Sequence, residues 1–291
     1  MKKKLVSLII PSYKPLFFEQ ALKSAIGQTY ENLQIYVSDN CPDNSIKEIC
    51  ENYTFVKYFR NHEMGFKNIT SALYASQGDY IKVLFDDDLL HPFCVERMVK
   101  AIERSDCAVV FSSSQVINGN NDVVELRRPI ESDVLLRHEQ LARAVILNFN
   151  NFIGEFSSVL INKKYLQKIR SEQLALFGSF DFTKGLSDIA TFLNLTKNNN
   201  AYYIDEVLTY FRKDQNINSN SVIDAERNPN FKYAITEWVD LLIQGHLVGI
   251  ITDDEIKSKA SVVHNFLNYF KNSYPEVLNY EEVYLAYIKK I

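Results

Sequence analysis

Two hydrophobic periods alternate along the first hundred residues. Leu5-Val6-Ser7-Leu8-Ile9-Ile10 is a short apolar run stopped by Pro11, the pattern of a strand buried on both faces. Phe18, Ala21, Leu22 and Ala25 then recur at helical spacing, which predicts a helix ending near Gly27. Leu33 to Val37 reads as a second strand because it is β-branched and aromatic, and it ends in polar Ser38-Asp39-Asn40. Ser45 with Glu48 has capping-box spacing and predicts a helix to about Asn52. Val56 to Phe59 is a third strand. Ile69, Ala72 and Leu73 give a third helical stripe, with Gly78 as its expected C′ residue. Tyr80 to Phe85 is a fourth strand running into Asp86-Asp87-Asp88. Pro92 opens a helix with the stripe Val95, Met98, Val99, Ile102, and Cys107 to Phe111 is a fifth strand.

This order predicts an α/β fold: a mostly parallel central sheet with right-handed crossovers, flanked by helices. Ligands of such sheets bind beyond the carboxyl ends of the strands. Three polar clusters fall there, namely Pro11-Ser12-Tyr13, Asp39-Asn40 and Asp86-Asp87-Asp88. Residues 115–215 are mixed: a helix over Val134 to Leu147, a strand over Ser157 to Ile161, a helix over Lys184 to Thr196, then Tyr202 to Phe211 as one or two strands. An Asn/Ser-rich linker follows Asn216 as far as Pro229. The remainder reads as helices carrying Trp238, Leu241, Leu242, Val262, Val263, Phe266, Leu267 and Phe270. Their aromatic stripe packs as a core, serves an oligomer interface, or docks a lipid-linked ligand at a membrane; helical spacing favours packing.

Composition narrows the function classes. Seven prolines and nine glycines exclude a disordered or collagen-like chain. A net charge of −4 argues against a general nucleic-acid binder, whose affinity comes from phosphate contacts. The one basic run, Lys2-Lys3-Lys4, reads as a solvated tail, with a peripheral membrane contact as the alternative. Cys41, Cys50, Cys94 and Cys107 lack zinc-ligand spacing and fit a reducing cytoplasm. No apolar run approaches the roughly 18 residues of a spanning helix. The expected location is cytoplasmic, with the inner face of the membrane open.

The clusters suggest chemistry. Three adjacent carboxylates at a strand end repel one another unless solvated or bound to a cation. Mg²⁺ or Mn²⁺ would relieve that repulsion and bridge to the oxygens of a phosphorylated substrate. Asp39, an acceptor-only group at the end of the second strand, either reads an N–H on a base such as uracil or caps a local turn.

These segments resemble the family-2 glycosyltransferases with the GT-A fold. Val6 to Tyr13, followed by Ala25-Ile26-Gly27-Gln28-Thr29-Tyr30, is similar to the family's opening. Val37 to Ser45 resembles its second-strand acidic turn, with Ser38-Asp39 in place of an acidic pair. Gly78 to Asp88 with Pro92 resembles its DxD-type metal segment, with Phe85 where the first acid of the usual run stands. The resemblance implies a nucleotide-sugar-binding half over 1–114, an acceptor-binding half over 115–215 and a helical extension over 216–291. It implies that Pro11, Ser12 and Tyr13 line the base and ribose, that Asp39 holds the base, and that Asp86 approaches the ribose or phosphate. Asp87 or Asp88 would hold the metal on the diphosphate.

The family also places a catalytic base at a helix start before a strand and an arginine. Asp188, ahead of Tyr202-Tyr203 and Arg212, matches that position, with Asp181 and Glu155 as weaker candidates. Arg212 either meets the diphosphate or pairs with an acid at its strand end. Arg60 and Lys67 either face the nucleotide or are ordinary surface charge. The implied activity is inverting, metal-dependent transfer from a UDP-sugar to a hydroxyl of a glycan, glycolipid or other acceptor in cell-surface polysaccharide synthesis. A nucleotidyltransferase and a non-catalytic nucleotide-sugar module are the alternatives; Pro11-Ser12-Tyr13-Lys14-Pro15 lacks the glycine-rich loop of the former. Oligomeric state stays open.

Overall fold

The computed structural model describes residues 3–214 and 223–291. The chain opens with β1 (Val6–Ser12), α1 (Phe18–Ile26), β2 (Leu33–Asp39), α2 (Ser45–Glu51), β3 (Lys57–Arg60), α3 (Phe66–Ala75) and β4 (Tyr80–Val83). There follow β5 (Leu89–Leu90), α4 (Cys94–Ser105), β6 (Val109–Ile117), β7 (Val123–Arg127), β8 (Val134–Arg137) and α5 (His138–Asn148). Next come β9 (Val159–Asn162), α6 (Lys163–Leu166), β10 (Leu176–Phe177), β11 (Phe180–Asp181), α7 (Ser187–Thr196) and β12 (Asn200–Arg212). The chain closes with α8 (Phe231–Leu247), α9 (Asp253–Ser258), α10 (Ala260–Phe270) and α11 (Asn279–Ile288).

The main sheet runs β3-β2-β1-β4-β9-β6-β12-β5, with β7 paired to β6 and β8 to β12. β3, β2, β1 and β4 are mutually parallel, as are β6 and β12. Antiparallel β9 lies between β4 and β6, so the fourth and fifth strands of the chain's opening pattern are not neighbours. Every residue of β1 and β4 is buried, as expected for strands covered on both faces. The predicted stripes Phe18, Ala21, Leu22, Ala25 and Val95, Met98, Val99, Ile102 are buried in one core with Val6, Leu8 and Ile10.

Three local expectations change. Residues 134–147 divide, because Val134–Arg137 pairs antiparallel with β12 and the helix begins only at His138. The Ser45 capping box does not form: Ser45 is already helical, and Asp43 Oδ1 accepts its N–H at 2.9 Å. A capping box occurs instead at Thr252 and Glu255, at the start of α9. Gly78 is not the C′ residue of α3, which is capped at Ser76. Its role is steric, since an added Cβ would lie 2.5 Å from Ser7 N and 2.6 Å from Tyr80 O.

Two compact units interleave along the chain. The first comprises residues 1–137, 152–171 and 195–213; the second comprises 138–151, 172–194 and 214–291. The sheet from β3 to β5 belongs to the first. In the second, α5 and α8 to α11 bury Val145, Ile235, Leu242, Val263, Leu267 and Tyr284. An aromatic cluster there joins Phe149 to Trp238 at 5.9 Å and to Phe266 at 5.0 Å between ring centroids. Of the expected linker, residues 216–222 lie outside the described residues, as does Lys2; Lys3 and Lys4 pair with Glu31 and Asp79. Among the described residues no helix is long and apolar enough to cross a membrane.

Gly78→Ala is expected to lower stability by about 1–3 kcal/mol, the range for overpacking, because the methyl meets backbone on both sides. Urea unfolding followed by circular dichroism checks this; an unchanged midpoint would refute the steric account.

Candidate active site

Parallel register gathers the predicted groups at one edge of the sheet. Ser12, the last residue of β1, lies beside Asp39 at the end of β2, and Asp39 lies beside Arg60 at the end of β3. Asp39 is fully buried. Its Oδ1 accepts the Cys41 N–H at 2.8 Å, and its Oδ2 accepts the Tyr58 hydroxyl at 2.6 Å and faces Arg60 Nη1 at 3.2 Å. Arg60 also donates to the carbonyls of Cys41 and Asp43 and to Asn44 Oδ1, so it braces the β2–α2 turn. Lys67 stands exposed in the first turn of α3. Its neighbour Asn68 bonds to Ser38, which ties that turn to the end of β2.

The acidic turn leaves β4 on the other side of β1. Leu84 N–H still bonds to Ile9 O at 3.0 Å, so the chain follows β1 before it turns. The three carboxylates then take different surroundings. Asp86 Oδ2 accepts the backbone N–H groups of Tyr13 at 2.6 Å and Lys14 at 2.7 Å, which fixes the β1–α1 loop and leaves the Tyr13 ring 47% exposed. Asp87 keeps an accessible edge and faces Lys14 Nζ at 3.8 Å. Asp88 is fully buried: Oδ1 accepts the Arg212 N–H at 2.9 Å, and Oδ2 has no hydrogen-bond partner among the described residues.

Two buried cations hold this turn. Arg212, the last residue of β12, donates through Nε to the Asp87 carbonyl, through Nη1 to the Asn118 carbonyl and through Nη2 to Asn121 and Gln20, and stacks 4.1 Å from the Phe17 ring centroid. These guanidinium bonds go to carbonyl and amide oxygens, and it is the Arg212 backbone N–H that meets an acid, Asp88. Lys82, the one charged residue of β4, is fully buried and donates to the carbonyls of Val83, Ser157 and Val159. Ser157 Oγ in turn accepts the Phe85 N–H at 2.9 Å. Burial pulls the Lys82 ammonium down to about 8.

Burial raises the carboxyls of Asp86, Asp87 and Asp88 above the ordinary aspartate range, and the Asp87 charge adds to this at Asp86 and Asp88. A buried carboxylate oxygen with no protein donor is a costly group. Hard oxygen ligands of this kind suit a divalent cation that binds through one or two carboxylates and completes its shell with phosphate and water. Among the described residues no group of three or more acidic, His or Cys side chains is arranged as a complete metal cage.

Asp188 belongs to the second unit. It sits half-buried in the first turn of α7, where Oδ1 accepts the Ile189 N–H at 2.8 Å and Oδ2 accepts the Asn151 amide at 3.0 Å. The weaker base candidates are engaged elsewhere: Glu155 pairs with Arg127 at 3.0 Å, and Asp181 accepts the Thr183 N–H. Sequence reasoning missed Tyr58, Asn151 and Ser157. Only Lys82 carried a signal, as a lone charge in an apolar strand.

A family model described as Glycosyl transferase family 2 matches residues 7–170. The chain belongs to that family. A family-2 relative from Rickettsia felis, an uncharacterized glycosyltransferase, is 28% identical over 174 residues, covering 57% of this chain and 28% of that protein. The chain therefore spans little more than a quarter of that relative's length. The GalNAc(5)-diNAcBac-PP-undecaprenol beta-1,3-glucosyltransferase of Campylobacter jejuni is 27% identical over 186 residues, 59% of this chain and 58% of that protein. Among solved structures, S. aureus TarS 1–349 in complex with UDP-GlcNAc superposes with a TM-score of 0.60 at 14% identity, over 96% of this chain and 88% of that one. The family-2 chain thus has the GT-A fold.

Two outcomes follow from the turn's electrostatics. Carboxyls raised in the folded state stabilise it fully below their unfolded values near 4 and lose that contribution as pH rises through the raised values. Asp88→Asn keeps an acceptor for Arg212 and removes the charge, so it is expected to raise the melting temperature at pH 8 and leave it unchanged at pH 4. Equal melting temperatures at pH 8 would count against a charged Asp88 being costly. Arg212→Met leaves several acceptors unpaired, each worth about 1–3 kcal/mol, and should lower the urea midpoint sharply.

Proposed function

We propose that this chain transfers a glycosyl unit from a UDP-sugar to a hydroxyl of a glycan or lipid-linked acceptor, with inversion at the anomeric carbon and with Mn²⁺ or Mg²⁺ held at Asp87 and Asp88. The observation that carries the reading is the acidic turn itself. In a family-2 chain, at the carboxyl edge of the sheet, it buries one carboxylate oxygen without a partner among the described residues and keeps an edge of a second carboxylate exposed. When bound, the ion would act as a Lewis acid on the diphosphate and offset charge on the leaving group. The complex of TarS with UDP-GlcNAc favours a UDP-sugar as donor. The lipid-linked acceptor in the name of the Campylobacter relative favours a lipid-linked acceptor here.

The residues divide the work. A carboxylate offers about four acceptor positions, and Cys41, Tyr58 and Arg60 occupy three at Asp39. The fourth is assigned to the base N–H. The exposed Tyr13 ring stacks on the base, beside Pro11 and Ser12, and the free Oδ1 of Asp86 accepts from the ribose. Lys14 and Lys67 supply positive charge toward the diphosphate. Asp188 removes the proton from the acceptor hydroxyl on the face of the sugar opposite the leaving group, a general-base step worth about 10²–10⁴-fold. Base and leaving group on opposite faces invert the carbon without a covalent intermediate.

Asp87→Ala is the decisive variant, because Asp87 is the least entangled of the three acids, whereas Asp88→Ala would strand the Arg212 N–H. The expected result is loss of transfer across a panel of UDP-sugars, with an unchanged circular dichroism spectrum. The stabilisation of about 2.7 kcal/mol that UDP with Mn²⁺ gives at 100 times its Kd should also vanish. Full activity in this variant, or in excess EDTA, would refute the metal-dependent reading.

A further inference from the structure

The second unit supports an inference about what its C-terminal helices do. α7 begins after Gly185 and Leu186, and Ala190 N–H bonds back to Leu186 O at 3.0 Å, so Leu186 occupies the N-cap position. Leucine has no side-chain acceptor, and the N–H groups at a helix start need one. The N–H groups just ahead of the helix, those of Gly185 and of the N-cap Leu186 itself, find theirs on α8. Glu237, only 2% exposed, accepts the Gly185 N–H at 2.9 Å and the Leu186 N–H at 2.6 Å through one oxygen, Oε2. In its ionised form Glu237 also opposes the positive end of the α7 dipole.

The approach is close enough to require glycine. A Cβ on Gly185 would lie 2.5 Å from Ala234 N and 2.6 Å from Ala234 Cα, both backbone atoms of α8. Lys184, one residue earlier, places its ammonium 5.0 Å from the Tyr233 ring centroid on the same helix. The segment leading into Asp188 is thus fastened to α8 at three successive residues.

A second contact reaches the carboxylate directly. Asn151 donates its amide to Asp188 Oδ2 at 3.0 Å. Two residues before it, Phe149 holds φ at +49°, a conformation that costs a non-glycine residue about 1 kcal/mol or more. Its ring is fixed against Trp238 of α8 and Phe266 of α10. The same helices therefore fasten both the helix that carries Asp188 and the loop that bonds to it.

We propose that Glu237 and Asn151 are positioning residues for Asp188, and that the C-terminal helices serve as the frame of the base. This rests on Asp188 being the base. Oriented catalytic groups derive much of their effect from being held in one geometry, so loosening the frame should lower turnover while donor binding persists.

The test uses the 291-residue chain with UDP-GlcNAc as the donor probe, following UDP release, with UDP affinity measured separately by calorimetry. Glu237→Ala and Asn151→Ala are each expected to lower kcat at least tenfold with the Kd for UDP unchanged. Glu237→Gln, which keeps an acceptor oxygen, should recover most of the loss. Amide hydrogen exchange at Leu186 and Asp188 should accelerate in Glu237→Ala and not in Glu237→Gln. Asp188→Asn separates the two claims: wild-type kcat in that variant removes the base assignment and leaves the exchange result to judge the frame. Unchanged exchange in Glu237→Ala, or an inactive Asp188→Asn alongside full kcat in both Glu237→Ala and Asn151→Ala, would overturn the proposal. Asn151→Ala leaves the helix start untouched and keeps the question open to measurement should Glu237→Ala fail to fold.

Discussion

A buried guanidinium at the end of β12 is the constraint on which the acidic turn depends. Three consecutive aspartates would splay toward water if nothing held them, since each loses hydration as it enters the sheet edge. Arg212 offers donors in a fixed planar fork, and it spends them on the turn's own backbone, on α1 and on the β6–β7 hairpin. Its backbone N–H anchors Asp88 as well. One residue thus closes β12 onto three other parts of the chain and fixes the backbone at Asp87. Lys82 does the complementary work from beneath, joining the exit of β4 to the segment around Ser157. Arg212 and Lys82 hold the turn through carbonyls, while its carboxylates meet the backbone N–H groups of Tyr13, Lys14 and Arg212 and, at Asp87, the Lys14 ammonium at 3.8 Å.

Much of this was legible in the chain. The apolar runs located β1, β2 and β4, and the helical stripes named the buried faces of α1 and α4 residue by residue. The position of Asp39 and of the acidic turn at the carboxyl edge followed from strand order alone, because parallel strands deliver their ends to one side. What escaped was set by long-range pairing. β9 enters the sheet antiparallel from more than seventy residues beyond β4, and no local period announces the neighbour a strand will choose. Val134–Arg137 carries a pattern that serves a helix or a strand equally, and the edge of β12 decides it. Tyr58, Ser157 and Glu237 are ordinary residues in sequence; only the fold brings them to Asp39, Phe85 and the start of α7.

Partner choice within the acidic residues is equally a matter of burial. Glu237 is raised to about 7 by its surroundings, even though two backbone N–H groups favour its charged form. Asp240, one turn further along α8, rises to about 6 for the same reason and has an oxygen without a partner among the described residues. α8 sets these acids among Ile235, Val239 and Leu242, and nearly every residue from Ile235 to Gly245 is buried, so its apolar stripe alone does not mark them.

The interleaving of the two compact units has a consequence for exchanging parts among members of the family. The second unit is threaded from three separate stretches, 138–151, 172–194 and 214–291, and the first from the pieces between them. A chimera joined at a single point near residue 214 would inherit α8 from one parent and the loop it fastens, at Gly185 and Leu186, from the other. Exchanging this unit between relatives would therefore demand that all three stretches travel together, as one cassette scattered through the gene.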